Sequence, residues 1–331
     1  MKEYSRLACA VFLCLAIPCI AQNHHEGAMR VSLIKMPYVG ERNVPELSGG
    51  PEYLEQGALH KLLEERGCLA KAALTVALTA DEEKAYGSWN RLALANGDLA
   101  ILVSAERRGG SFPIGLLANC SSLAGMLSGL QHSGPVSKPL RVGLVFIDAH
   151  GDFNTPETTL SGMLGGMPVA IAAGLCLPRL RMKTGLEPPL APSYIVEAGL
   201  RDVDPLEQEL LDRNGIHQLT VHDIRSRSEN LHREMKRLSE ITDVIYIHVD
   251  MDVLDPREVP GHPLTVAGGP TSAELAAALT EMFQYEKAAA FGVASTPFGD
   301  HDKDGVSRQA AYNLILAAMT GKTQARRPVP R

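Results

Sequence analysis

The chain alternates short unbroken apolar runs with longer amphipathic stretches. Val31 to Met36, Ile114 to Leu117 and residues 142–148, 194–200, 244–250 and 290–295 are runs of β-forming residues. Their density predicts strands buried on both faces. Between them lie stretches with helical spacing: Tyr53 to Glu65, stopped by Gly67; Glu82 to Asn96; and Ser122 to Leu130. Leu99 to Ser104 reads as a further strand, and Pro37 to Pro51, rich in Gly and Pro, as a loop. Strand followed by helix, repeated along the chain, predicts a parallel sheet with helices on both faces. No internal repeat or low-complexity segment interrupts this order.

Two of the strands end in chemistry. Leu144-Val145-Phe146-Ile147 runs into Asp148, His150 and Asp152, and Val244 to Val249 runs into Asp250 and Asp252. Alternate residues of an extended chain project to one side, so each set can converge on a point. That point lies at the C-terminal end of a parallel strand, where open α/β sheets bind ligands. One aspartate at such an end is most simply a helix cap or a solvated loop residue. Two clusters, each closing an apolar strand, point to a metal, because carboxylates are seldom buried unpaired. Four carboxylates and one imidazole form a hard donor set, suited to Mn²⁺ or another first-row divalent ion rather than to structural zinc.

The segments Asp148-Ala149-His150-Gly151-Asp152-Phe153-Asn154-Thr155-Pro156, Ser161-Gly162, Gly199-Leu200-Arg201-Asp202-Val203-Asp204-Pro205 and Asp250-Met251-Asp252-Val253-Leu254-Asp255-Pro256 resemble the signature segments of the arginase/agmatinase/formimidoylglutamase (ureohydrolase) family, in the family's order. The resemblance covers roughly Arg30 to Ala318. It implies a single three-layer α/β/α sandwich with a mainly parallel sheet. It also implies two metal ions bridged by Asp148 and Asp250, with Asp152 on one ion and His150 and Asp252 on the other. Asp152 would be the local acid/base. Asn154 and Ser161 match positions that bind the substrate's polar tail, and Asp204 matches one that recognises a substrate amino group. A second reading makes Arg201, Asp202, Asp204 and Glu207 a structural ion-pair network. Family members form trimers or hexamers, which implies a homo-oligomer.

The chain departs from the family pattern at several positions. Cys120 stands where the family has a histidine ligand, after Asn119 where an aspartate is usual. A thiolate there would suit Zn²⁺ better than Mn²⁺. A neutral packed thiol would leave that side weak or empty, so that one ion is bound instead of two. Gly165 stands where arginases carry a proton-transfer histidine, Met163 where a substrate-binding asparagine is expected, and Ala294 where a glutamate grips the guanidinium. His262 and His301, in loops after strand ends, are the candidates for a replacement shuttle, although a loop histidine is more often simply solvated.

The resemblance therefore implies a metal-dependent hydrolase of non-peptide C–N bonds, acting on guanidino or formimino carbons, and not an ordinary arginase. Two alternatives are a mononuclear deacetylase-like amidohydrolase using Asp148, His150 and Asp250, and a non-catalytic metal- or ligand-binding member of the family.

Composition adds bounds rather than direction. The 331 residues are 45% hydrophobic and 21% charged, ordinary for a globular chain with a large core. A net charge of −6 without a basic run excludes nucleic acid as the expected partner and leaves a small molecule. Lys2 and Arg6 before the apolar run Leu7 to Ile20, then Ala21, form a signal-peptide pattern, too short for a membrane span. The expected layout is a signal peptide over residues 1–21, a linker over 22–29, the metallohydrolase domain over 30–320 and a flexible tail over 321–331. The protein would then be exported, periplasmic or secreted; a true start at Met29 would leave it cytoplasmic. Beyond that N-terminal segment, Cys68, Cys120 and Cys176 are too few for a disulfide framework.

Overall fold

A computed structural model describes residues 28–40, 48–135 and 138–326. The expected signal peptide and most of the linker lie outside the described residues. The apolar runs form nine strands among these residues: β1 (Met29–Met36), β2 (Cys68–Ala70), β3 (Leu74–Thr75), β4 (Phe112–Leu117), β5 (Val142–Ile147), β6 (Ile195–Ala198), β7 (His217–Leu219), β8 (Val244–Asp250) and β9 (Ala288–Ala294). They make one sheet in the order β2-β1-β4-β9-β8-β5-β6-β7, with β3 also on β1, and every pairing is parallel.

Alternation within the strands divides the core in two. Val145, Ile147, Ile247 and Val249 pack on one face against the helices Glu229–Ile241, Ser272–Met282 and Val306–Ala325. Leu144, Phe146 and Tyr246 face the other side, toward Ser88–Arg108 and Leu123–Gln131. The three-layer α/β/α class is therefore the observed fold. Among the described residues, no helix is long and apolar enough to cross a membrane.

Three local expectations change. Leu99 to Ser104 is not a strand but the middle of the helix Ser88–Arg108. Leu99 and Val103 are buried, yet Ile101 between them is 66% exposed, which is the spacing of a helix face and not of a buried strand. That helix begins only after Gly87, so Glu82 to Gly87 is turn rather than helix. Tyr53 to Glu65 divides into Gly50–Glu55 and Leu59–Glu65. At the break the Tyr312 hydroxyl donates to the Leu54 carbonyl at 2.7 Å, and a Cβ on Gly57 would sit 2.1 Å from the Tyr312 hydroxyl oxygen.

The chain also stays helical beyond residue 321. Helix Val306–Ala325 carries Lys322 inward, where its Nζ donates to the Glu286 carbonyl at 2.6 Å. Gly321 lies against helix Ser272–Met282, and a Cβ there would stand 2.1 Å from the Thr280 carbonyl. Gly321→Ala is therefore expected to separate the helices at a cost of about 1–3 kcal/mol, despite alanine's better helix propensity. A thermal melt reads this as a Tm lower by a few degrees; an unchanged or raised Tm would contradict it.

Candidate metal centre

Strands β5 and β8 lie side by side, with Phe146 opposite His248 and Ile147 opposite Val249. Asp148 and Asp250 therefore leave the sheet together, at its C-terminal edge. Both are nearly fully buried, as is Asp252 in the 3₁₀ turn that follows β8. Local hydrogen bonds fix them. Asp148 accepts from the His150 N–H at 2.8 Å, Asp250 from the Asp252 N–H at 3.0 Å, and Asp252 from the Ala149 N–H at 3.3 Å. Asp152 turns the loop with a φ of +46°, a conformation aspartate tolerates better than most residues.

The side chains form three overlapping ligand groups: Cys120, Asp148 and Asp250; Asp148, His150 and Asp252; Asp250, Asp252 and His262. Each of the three aspartates belongs to two groups, the arrangement in which a carboxylate can bridge neighbouring cations. His150 Nδ1 lies 3.3 Å from Asp148 and 3.1 Å from Asp252, and His262 Nε2 lies 3.7 Å from Asp250. Asp152 lines the same cleft without joining a group. His262 is thus brought to the site, whereas His301 stays in an exposed turn outside the cleft lining.

Burial raises the carboxyl pKa of all four aspartates, Asp252 to about 6 and Asp152 well above the usual range, and their mutual repulsion adds to this. Burial opposes a proton on His150, but its bonds to Asp148 and Asp252 prevail and lift it to about 11. Burial, followed by Asp250, pushes the Cys120 thiol up. A divalent cation satisfies such a crowded anionic donor set, and the Asp/His part fits a hard ion. The sulphur at Cys120 fits a softer one.

The supporting residues have structural work of their own. Arg201 is not the centre of an ion-pair network. Its guanidinium donates to the carbonyls of Gly199, Asp252, Val253, Val266 and Ala267 at 2.8–3.2 Å, clamping the loop that carries Asp252. Lysine cannot reproduce that fork. Arg201→Lys is expected to weaken metal binding about 10–100-fold, read by titrating the metal-free protein; wild-type affinity would contradict this role. Asp204 accepts from Asn154 Nδ2 at 3.1 Å and from the Leu160 N–H at 3.3 Å, while Glu207 accepts from the Phe153 N–H at 2.8 Å. Ser161 accepts from the Met163 N–H at 3.2 Å on the exposed rim. Asn154, Ser161 and Asp204 thus line one cleft with the metal group.

Sequence reasoning missed two contributors. Ser295, at φ +62° just after β9, donates its hydroxyl to Asp250. His248 lies behind Cys120, wholly buried, and burial drives its pKa down to about 3. Its position two residues before Asp250, hence on the same strand face, was the available signal. The cleft encloses about 320 Å³, with Leu160, Met163 and Leu264 at the rim beside Asp202.

The sequence profile of the Arginase family matches residues 32–321, and the chain belongs to that family. An arginase of Neurospora crassa is 30% identical over 257 residues, covering 74% of this chain and 72% of its own length. An arginase of Bacillus caldovelox is 34% identical over 185 residues, 55% of this chain; that match spans only 60% of the relative. The solved arginase of Bacillus subtilis superposes with a TM-score of 0.76 at 24% identity, over 88% of this chain and 98% of that one. Bacillus subtilis formimidoylglutamase does so with 0.69 at 17% identity, over 90% and 88%. These two structures establish likeness of fold alone.

Proposed function

We propose that the protein is a metal-dependent hydrolase of non-peptide C–N bonds, acting on a guanidino or formimino carbon other than that of arginine. The observation that carries this reading is the trio of ligand groups sharing Asp148, Asp250 and Asp252 on the floor of one cleft. These residues with His150 would hold two divalent ions, of which Mn²⁺ suits the Asp/His side. Bound there, the ions would supply an activated water for attack on an sp² carbon.

The chain's own residues do the rest. Asp152, buried next to the ligands, takes the water's proton and returns it toward the leaving nitrogen. His262 lines the same cleft as Gly165, which stands where arginases carry a proton-transfer histidine, and would serve as the replacement shuttle if it is not itself taken up as a ligand beside Asp250 and Asp252. Asn154, Ser161 and Asp204 orient the substrate's distal end. Among the described residues the cleft lining holds Asp202, Asp204 and Glu207 but no Lys or Arg, which favours a cationic or neutral substrate over an anionic one.

Arginine is expected to be a poor substrate even with full metal loading. Ala294 ends β9 as a buried methyl group opposite Asp250, so no carboxylate reaches the guanidinium from that position. A lost charge-assisted contact is worth about 1.5–3 kcal/mol, roughly one to two decades in rate. Urea release from arginine should therefore fall at least tenfold below the turnover of the preferred guanidino or formimino compound. Arginine emerging as the fastest substrate of such a panel would refute the substrate reading.

A further inference from the structure

Behind the metal centre, Tyr246 and His248 of β8 and Cys120 of the turn after β4 form a connected row. Tyr246, His248 and Asp250 share one face of β8. The Tyr246 hydroxyl meets His248 Nδ1 at 2.9 Å, and His248 Nε2 meets Cys120 Sγ at 3.3 Å. The sulphur in turn lies 2.9 Å from Asp250 and 3.8 Å from Asp148. The sheet is shaped for this reach. Cys120 follows β4, and β9 runs between β4 and β8. At the crossing β9 carries Gly292, where a Cβ would stand 2.0 Å from the Tyr246 hydroxyl. The imidazole is locked from the side by Phe146, stacked at 4.9 Å and 9°.

We propose that Tyr246 and His248 form a hydrogen-bonded prop that holds Cys120 as a sulphur ligand, making this end of the centre a site for a softer divalent ion such as Zn²⁺ or Co²⁺. The inference rests on the proposed metal-binding role of the cluster and deepens it. Metal-bound histidines are oriented by a partner on their other nitrogen. Here the ligand is sulphur, and the imidazole has moved one layer back to become the partner. His248 meets the cluster through Cys120 Sγ and turns its other nitrogen to Tyr246, so its assigned part is that of a positioning residue. A thiolate between Asp148 and Asp250 is costly unless something donates to it. With the Tyr246 O–H donating to Nδ1, the imidazole proton sits on Nε2 and points at the sulphur. Each thiolate ligand formed releases one proton to solvent, and the ion takes its place.

The test is titration of the metal-free full-length protein with Co²⁺, read as the near-ultraviolet sulphur-to-cobalt charge-transfer band together with bound cobalt by elemental analysis. The wild type should show the band, and Cys120→Ser should still take up cobalt without it. His248→Phe keeps the stacking on Phe146 but no donor, and should weaken the banded site about 10–100-fold. His248→Gln, which restores an N–H near the sulphur, should recover most of that loss. Tyr246→Phe should weaken it less and keep the band. Cobalt bound by the wild type without the band, or a band that survives Cys120→Ser, overturns the sulphur ligand and leaves the metal reading intact. No cobalt bound at all overturns both. Should His248→Phe fail to fold, Tyr246→Phe decides: unchanged affinity there, or in a folded His248→Phe, overturns the prop.

Discussion

Asp250→Ala is expected to strip the protein of its metal. Asp250 belongs to two of the three ligand groups, and its carboxylate meets Cys120, Ser295 and the Asp252 N–H. Removing it takes one charge and one candidate bridge from the centre and frees the turn that presents Asp252. A single charged contact is worth about 1.5–3 kcal/mol, and a bridge counts toward both ions, so affinity should fall at least a hundredfold. Asp148→Ala, which breaks another of the shared pairs of groups, should act similarly. Elemental analysis of the purified variants would then find under about a tenth of the wild-type metal, given a hundredfold loss near saturation. The metal-free forms separate ligand loss from misfolding. Without metal, the variant exchanges an accepting bond to the Asp252 N–H for relief of carboxylate repulsion, and should melt within a few degrees of the metal-free wild type. Wild-type metal content in both variants would contradict the assignment.

The second large effect concerns pH. In the metal-free protein, Asp148, Asp152, Asp250 and Asp252 all have carboxyl pKa values raised by burial. A raised folded-state pKa contributes stability that is fully present below the unfolded value, near 4, and lost as pH rises through the folded one. For Asp252 that window runs from about 4 to about 6 and beyond, worth on the order of 3 kcal/mol for a rise of about two units. His150, raised to about 11 by Asp148 and Asp252 against the effect of burial, has the same sign over a higher window. Its contribution is lost as pH rises from about 6.5 toward 11, the range in which Asp252 is ionised to hold the imidazole proton. Metal binding reverses the trend, because each ligand must shed its proton to bind. The metal-free protein should melt lower at pH 8 than at pH 5, while the Tm increment from saturating metal should be larger at pH 8. A metal-free Tm that rises between those pH values, or an increment independent of pH, would contradict the electrostatics assigned to the cluster.

The parts legible in the sequence were those with a period and a terminus. Strands β5 and β8 announce themselves as apolar runs, and alternation alone puts Asp148, His150, Asp250 and Asp252 at one edge. The two-residue strand β3 and the three-residue strands β2 and β7 carry too little pattern to stand out from loop. The helix Ser88–Arg108 conceals its period because its apolar residues run on past the buried Leu99 and Val103 to the exposed Ile101, so that Leu99 to Ser104 resembles a strand. The interior of the site was the least legible. Cys120, Tyr246 and His248 meet across an intervening strand, and Gly292 at that crossing leaves the room that the Tyr246 hydroxyl occupies. The acids beside Arg201 in sequence leave an ion-pair network open as a second reading; in space its guanidinium partners are carbonyls.

The central claim is that this cluster is the metal centre of a C–N hydrolase. Its most direct test is ammonia, urea or formamide release from a panel of guanidino and formimino compounds. The protein would be stripped by chelation and reconstituted with Mn²⁺, with or without Zn²⁺, beside Asp250→Ala treated identically. Turnover of at least one compound is expected, requiring added metal and absent from Asp250→Ala. Metal-loaded wild type that releases no more product than Asp250→Ala across the panel would contradict it.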